Sequence, residues 1–468
     1  MFFHRYFRRK PVDRILYEET GTQERSLKRR LGAVDLVSMG IGAIIGTGIF
    51  VLTGVAAANY AGPGAVLSFV LAGAAAALAA LVYAELASTV PVAGSAYVYS
   101  YAGLGEIIAW IIGWDLILEY TVAAGAVAIG WSGYFVNLLQ AIGIFLPRAL
   151  TAPPALGGVI NLPAVLIVVL VSIVLVLGTK RSALVNSIIV LIKLAAVVLF
   201  IVVGATRIDP GLWSPFLPFG LPGVVNGAAI VFFAYIGFDA VSTAAEEVRN
   251  PGRDLPLGIL GSLAVSSLLY TVVALVLTGM VSYRLLNVPS PLSFALLSTG
   301  LPWVASIISV GALTGLSSVI LVSIFGQSRV FFAMSRDGLL PFKLARLHHR
   351  FNTPYLIIIV TAVLVSLIGG LLPLNLVAEL ANIGTLAAFI VVSIGVIILR
   401  IKQPDLKRPF RVPLFPYLPL ASAALSFYLI LHLPVITLVR FSIWLILGAV
   451  FYFFYSIRHS RLAKQGPP

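Results

Sequence analysis

Two short runs of residues could hold a small charged molecule inside a chain that is otherwise mostly hydrocarbon. The first is Gly42-Ala43-Ile44-Ile45-Gly46-Thr47-Gly48, and the second is Phe233-Ala234-Tyr235-Ile236-Gly237-Phe238-Asp239. Each lies near the middle of a long apolar stretch. Glycines weaken a helix interior by roughly 1 kcal/mol each relative to alanine, so the first run predicts a helix that stops near Ile44 and restarts near Thr47. In lipid, such a break frees backbone N–H and C=O groups that hydrocarbon cannot satisfy. The restarting half presents the amides of Thr47, Gly48 and Ile49, which suit a carboxylate. The ending half presents carbonyls around Ile41 and Ile44, which suit an ammonium. The second run ends its first half with the carbonyls of Phe233, Ala234 and Ile236, again suited to an ammonium. An anion pole beside a cation pole matches an α-amino acid. Gly42 with Gly46 also fits the small-xxx-small rule for close helix packing, and a second break in the matching half of the chain favours the binding reading. Gly40-Ile41-Gly42 with Gly46 lacks the strand and βαβ unit of a dinucleotide fingerprint.

Charged residues inside the apolar stretches are the other candidates. Lys193 sits at the centre of its stretch, where an ammonium costs at least about 2.5–3.5 kcal/mol on insertion scales. It needs a partner, a cavity or a titrating role. One reading makes it a proton-coupling group whose ammonium braces the first break. The other makes it a permanently charged structural lysine bonded to carbonyls of that break. Asp115 and Glu119 are four apart and share a helix face. Glu119 is the deeper, with Lys193 or a cationic substrate side chain as candidate partner, or a packing role. Asp239 follows the second break, where a carboxylate is either a helix cap or a functional group. Glu85, near the end of its stretch, reads as structural, and Arg336-Asp337-Gly338 as shaping a loop. Small residues Ala123, Ala124, Gly125 and Ala126 leave room for a substrate side chain, and Ser317 and Ser318 add hydroxyls.

These residues need a membrane-embedded scaffold. The chain is 60% hydrophobic and 10% charged, with mean hydropathy +1.05, a composition that excludes an ordinary soluble domain. About twelve apolar segments approach the ~20 residues a bilayer core requires. They run roughly 34–57, 64–88, 104–135, 159–178, 182–204, 222–246, 256–281, 303–333, 355–372, 375–400, 413–433 and 435–456, the last two meeting at Leu433-Pro434. The breaks fall in segments one and six. Five crossings invert direction, so residues 34–204 and 222–400 are expected to form inverted repeats of five helices each. A basic arm (1–33) precedes them, two further helices (413–456) follow, and a tail (457–468) ends the chain. No cleavable signal peptide is apparent.

The net charge of +14 raises the question of nucleic acid, and the placement of the charges answers it. With the N-terminus in the cytoplasm, 26 of the 31 Lys and Arg fall on the cytoplasmic side and 4 on the other (Arg148, Arg207, Arg284 and Arg440). That asymmetry is the positive-inside signature of a multi-pass plasma-membrane protein with both termini cytoplasmic. Anionic lipid, not nucleic acid, is the expected partner of the basic arm. With no cysteine and only five histidines, no metal cluster or nucleophile constellation is apparent, so neither an enzyme nor a cofactor is expected. Isolated polar points do not make the continuous lining of a channel.

Several motifs together resemble the amino acid–polyamine–organocation (APC) superfamily of transporters. They are Gly46-Thr47-Gly48-Ile49-Phe50, Tyr83-Ala84-Glu85-Leu86 followed by Pro91-Val92-Ala93-Gly94-Ser95-Ala96-Tyr97, and the stretch from Arg329-Val330-Phe331 through Arg336-Asp337-Gly338-Leu339-Leu340-Pro341. Phe238-Asp239-Ala240 with Glu246-Glu247-Val248-Arg249-Asn250-Pro251 is most similar to the cationic amino acid transporter branch in its bacterial form. The resemblance covers about residues 30–455. It implies an all-α integral membrane fold of about 12 helices with a five-plus-five inverted repeat (LeuT-like), discontinuous helices one and six, and alternating access. It implies carboxylate contacts at Thr47 and Gly48, with Gly46 also at the substrate site, and amine contacts at the carbonyls of Ile44, Phe233, Ala234 and Ile236, with the Phe233 ring as a gate. Similar transporters place a lysine where relatives bind sodium, which favours proton symport through Lys193, with Glu119 assisting. No side chain is an unambiguous counter-charge for Lys or Arg, so neutral L-amino acids are expected, with cationic ones open. Exchange or facilitated diffusion is the alternative to symport. The sequence leaves oligomeric state and any small accessory membrane protein open.

Overall fold

Helix is the form in which a chain of this composition keeps its backbone hydrogen bonds internal. The computed structural model describes residues 8, 31–91, 95–177, 182–348, 351 and 353–464. Most of the basic arm, Val92-Ala93-Gly94 of the second motif, Lys180, Arg181, Arg350 and the last four residues lie outside that set, as do the side chains of Glu246 and Glu247. The principal helices are α1 (Ala33–Ile44), α2 (Thr53–Ala56, between wide π turns Gly48–Leu52 and Ala57–Ala61), α3 (Ala65–Thr89), α4 (Ser95–Gly103), α5 (Glu106–Ala141), α6 (Leu162–Leu177), α7 (Ser182–Ala205) and α8 (Gly220–Val231). They continue as α9 (Pro251–Met280), α10 (Pro291–Ser298), α11 (Pro302–Arg336), α12 (Tyr355–Leu371), α13 (Leu374–Lys402), α14 (Tyr417–Leu431) and α15 (Val435–Phe451). Among the described residues, eight helical stretches are long and apolar enough to cross a membrane, and four shorter helices are apolar.

Each apolar segment expected from the sequence is largely helical, and the division at Leu433-Pro434 falls between α14 and α15. α9, α10 and α11 all begin with proline, whose missing N–H costs nothing in a first turn. The short helices α4 and α10 were not expected. Both lie in connections where apolar periodicity is too brief to read.

The helices pack in two groups of four. In one, α9 lies against α1 and α3, and α3 against α8. In the other, α5 lies against α6, α11 and α12, and α6 against α12. α7 touches both groups through α1, α9 and α11, and α13 spans from α5 to α14. The interior of α3 is lined by Ala72, Ala75, Ala76, Ala79 and Ala80, all buried, which lets neighbouring backbones approach closely. The outer faces are apolar as well: Leu162, Leu166, Val169, Leu170 and Ile173 of α6 are exposed.

Polar contacts pin the ends. Glu85 at the end of α3 is buried and receives both a bidentate Arg400 guanidinium and the Val412 amide, at 2.7 Å. This fits its structural reading. Tyr97 of α4 donates to the Asp337 carboxylate at 2.7 Å, tying the loop after α11 to α4. α15 is held to α5 by a reciprocal pair, Trp114 Nε1 to the Trp444 carbonyl (2.9 Å) and Trp444 Nε1 to the Trp114 carbonyl (3.1 Å).

Candidate functional site

The first break follows directly from its glycines. α1 ends at Ile44, with the Ile45 amide making the closing bond to the Ile41 carbonyl at 3.0 Å. Ile45 is extended (φ −73°, ψ 100°), and helical geometry resumes at Thr47 (φ −56°, ψ −27°). The next ladder bond runs from the Phe50 amide to Gly46 O at 3.3 Å. The amides of Thr47, Gly48 and Ile49 donate to no carbonyl among the described residues. Free first-turn donors are intrinsic to a helix start. The Thr47 hydroxyl beside them is also buried, with no hydrogen-bond partner among the described residues.

The second break differs from the expected form. α8 ends at Val231, earlier than anticipated, and the chain tightens into a 3-10 turn over Phe232–Tyr235 before Ile236 turns extended (φ −62°, ψ 136°). Gly237 then takes φ +116°, a conformation that only glycine adopts without strain. The second half, Phe238–Glu247, is 3-10 rather than α-helical.

The two breaks interlock. A side chain at Gly48 would place its Cβ 2.3 Å from Ala234 Cβ, and one at Gly237 would place it 2.9 Å from the Ala43 carbonyl oxygen. These two glycines therefore bring the free amides of one helix against the carbonyl end of the other. Ile44, Gly46, Thr47, Gly48, Phe233, Ala234 and Ile236 thus share one region, with Phe233 buried within it.

Three side chains from three other helices each reach two break carbonyls. Lys193 of α7, wholly buried, donates from Nζ to the carbonyl of Gly42 and to that of Ile45, the latter at 3.0 Å. Tyr270 of α9 places its hydroxyl 2.8 Å from both Ile44 O and Ala234 O. A phenol carries one proton, so this hydroxyl spans the two breaks with a single shared donor. Asn382 of α13 donates from Nδ2 to Ala229 O (2.8 Å) and Ile230 O (3.0 Å) at the end of α8. Tyr270 and Asn382 were missed. Both stand far along the chain from the breaks, and neither is a charge in an apolar run. The one available signal was a hydrogen-bonding side chain deep in an apolar segment.

The carboxylates form a separate cluster. Asp115, Glu119 and Asp239 are all buried. Asp239 accepts from the Tyr120 hydroxyl at 3.2 Å, and Glu119 lies within electrostatic reach of Asp239. Gly384 of α13 packs against Asp115 and Glu119. Neither oxygen of Asp115 meets a donor among the described residues. The expected pairing of Glu119 with Lys193 is not found: the ammonium turns to α1 and its carbonyls, while Glu119 faces α13. Nor do the small residues of α5 simply open a pocket, since Ile368 of α12 fills the space beside Gly125. Ser317 accepts from Trp131 Nε1 at 3.0 Å, and Ser318 bonds back to Gly315 O.

The sequence matches the family model described as amino acid permease over residues 31–459. It is 51% identical over 461 residues to a branched-chain amino acid permease of Bacillus subtilis (strain 168), covering 97% of this chain and 98% of that relative. A methylthioribose transporter of the same organism is 49% identical over 460 residues, covering 98% and 99%. The vacuolar cationic amino acid transporter 4 of Arabidopsis thaliana is 41% identical over 408 residues, covering 85% and 67%. These relatives are named as permeases and transporters, not as enzymes. Poised backbone groups at two interlocked helix breaks, in an apolar helical bundle with this kinship, lead to one assignment: the chain is a multi-pass membrane protein of the amino acid permease family, within the amino acid–polyamine–organocation superfamily.

Proposed function

We propose that the protein imports L-amino acids across the plasma membrane by proton symport, with aliphatic neutral amino acids preferred. The observation that carries this is the pairing of three free amides and a free hydroxyl (Thr47, Gly48, Ile49) with a carbonyl-lined helix end in direct contact. The substrate carboxylate sits on the amides of the restarting helix, where the dipole favours an anion. Its ammonium bonds the carbonyls of Ile44, Phe233, Ala234 and Ile236. Val319 of α11 lies against Gly46 and supplies an apolar wall for the side chain. The names of two relatives as branched-chain permeases, at 51% and 35% identity, support that preference. Phe233 gates the site, and the halves 34–204 and 222–400 act as inverted repeats that alternate access.

Lys193 is the coupling group. Protonated, it braces Gly42 and Ile45; on losing its proton it keeps two donors but no charge, and the first break loosens. The termini face the cytoplasm, as the asymmetry of Lys and Arg favours. Exchange or facilitated diffusion without obligatory coupling is the competing mechanism. The kinship to a methylthioribose transporter favours a second substrate reading, a thiosugar, which has neither carboxylate nor ammonium for the two poles.

Proteoliposome uptake of labelled L-leucine, L-alanine, L-arginine and methylthioribose, with and without an inward proton gradient, tests this. Gradient-driven leucine accumulation is expected. Equal leucine uptake with and without the gradient would sink symport, and uptake of methylthioribose alone would sink the amino acid reading.

A further inference from the structure

We propose that Asn382 is a positioning residue for the second break, the neutral counterpart of Lys193 at the first. This rests on the amino acid–transport reading for its substrate readout, but not for its structural one.

The two residues occupy corresponding places. The break in the first apolar segment is held by Lys193 from the fifth, and the break in the sixth by Asn382 from the tenth. Each is wholly buried, and each gives donors to two carbonyls at the end of a first half-helix. For α8 the need is specific. Its ladder ends with the Phe232 amide on Ala228 O, and beyond that the chain tightens to 3-10. Ala229 O and Ile230 O stand at the changeover, where an α-helix runs out of its own donors. Asn382 Nδ2 has two hydrogens and both carbonyls in reach, at 2.8 and 3.0 Å. Those two acceptors also assign the amide, since the flipped side chain would face oxygen with oxygen.

The consequence lies three to six residues on. Phe233, Ala234 and Ile236 follow directly from the braced turn, so the direction of their carbonyls depends on where α8 stops. Lys193 can change its charge and Asn382 cannot. One break is therefore switchable and the other permanently set. Asn382 belongs to substrate affinity and Lys193 to coupling.

Asn382→Asp and the milder Asn382→Ala separate these roles in the full-length protein in proteoliposomes. Asp is nearly isosteric but turns an acceptor-only carboxylate toward two carbonyls; Ala leaves both without the donor. Each is expected to raise the KM for L-leucine about tenfold, Asp more than Ala, with the ratio of gradient-driven uptake to exchange unchanged. Lys193→Ala is expected to do the reverse. A KM within about twofold of wild type in both Asn382 variants, with only thermal stability lowered, would reduce Asn382 to a packing residue and overturn the proposal. Loss of proton drive in those variants at unchanged KM would overturn it equally. Hydrogen exchange by mass spectrometry reads the brace without substrate. Asn382→Ala should accelerate exchange across 229–237 and leave 42–48 as in wild type; no acceleration there defeats the proposal. A wild type that carries no amino acid defeats the transport reading instead, with the exchange result still deciding the brace.

Discussion

The two helix breaks look alike in sequence and are built differently. The first is donor-rich: it restarts with three amides and the Thr47 hydroxyl that meet no partner among the described residues, and the Lys193 amine from α7 holds its ending half. The second is acceptor-rich: the last turn of α8 gives two carbonyls to the Asn382 amide, and the 3-10 turn that follows gives the Ala234 carbonyl to the shared phenol of Tyr270. The difference teaches how one site presents opposite polarities. Two broken helices in contact set the amide end of one, at Gly48, against the carbonyl end of the other, at Ala234. Only Gly48 and Gly237 permit the contact, since any side chain there would strike Ala234 or the Ala43 carbonyl.

Gly48→Val should break the comparison outright. The branched side chain would push Ala234 away and separate the poles, and leucine uptake is expected to fall more than about 100-fold, the scale of a misplaced catalytic or binding constellation. Size-exclusion chromatography and uptake on the same sample check it; a folded, active variant would show that the interlock is not required.

Lys193→Ala comes next. It removes the amine that braces the first break, so accumulation against a gradient should disappear while leucine–leucine exchange persists. If accumulation survives the substitution, proton coupling lies elsewhere, with the Asp115–Glu119–Asp239 cluster the first place to look.

Tyr270→Phe sharpens the comparison, because this hydroxyl touches both breaks. The ring keeps its edge contact with Tyr235, 5.3 Å between centroids, while the shared proton is lost. A buried carbonyl left unmatched costs about 1–3 kcal/mol, so a rise in leucine KM of about tenfold is expected, with the ratio of driven uptake to exchange unaltered. An unchanged KM would mean the two carbonyls find other donors.

Thr47→Val is the smallest. It keeps the branched shape and removes one hydroxyl, worth about 0.5–1.5 kcal/mol as a hydrogen bond, so affinity for leucine measured by isothermal titration should weaken only a few-fold. Thr47→Ser should retain wild-type affinity. A large loss in the serine variant would point to the methyl group packing against α5, where Gly130 faces Thr47.

Legibility followed range along the chain. The position of the first break, Ile44 to Thr47, was readable because glycine acts on its own turn. The second was read less well: Gly237 marked the kink, but nothing local announced that α8 would stop at Val231 and finish as 3-10, or that its last turn would bond Asn382, some 150 residues away. Of the partners open to Glu119 in the sequence, Lys193 is not the one the fold supplies, because its Nζ bonds two carbonyls of the first break instead. Tyr270 showed only as a hydroxyl deep in an apolar segment, with nothing local to say which carbonyls it would meet.

By itself the sequence determined that the chain is a bundle of apolar helices, which two of its segments are interrupted, and which residue types lie within the apolar stretches. These follow from properties that residues carry alone: hydrophobicity, glycine's weak helix preference, and the cost of charge in hydrocarbon. Only the tertiary structure decided which freed carbonyl is served by which side chain, and that the two breaks meet at Gly48 and Gly237. Hydrogen bonds and close contacts act over a few ångström, and which groups come that close is settled by the packing of helices far apart in the chain.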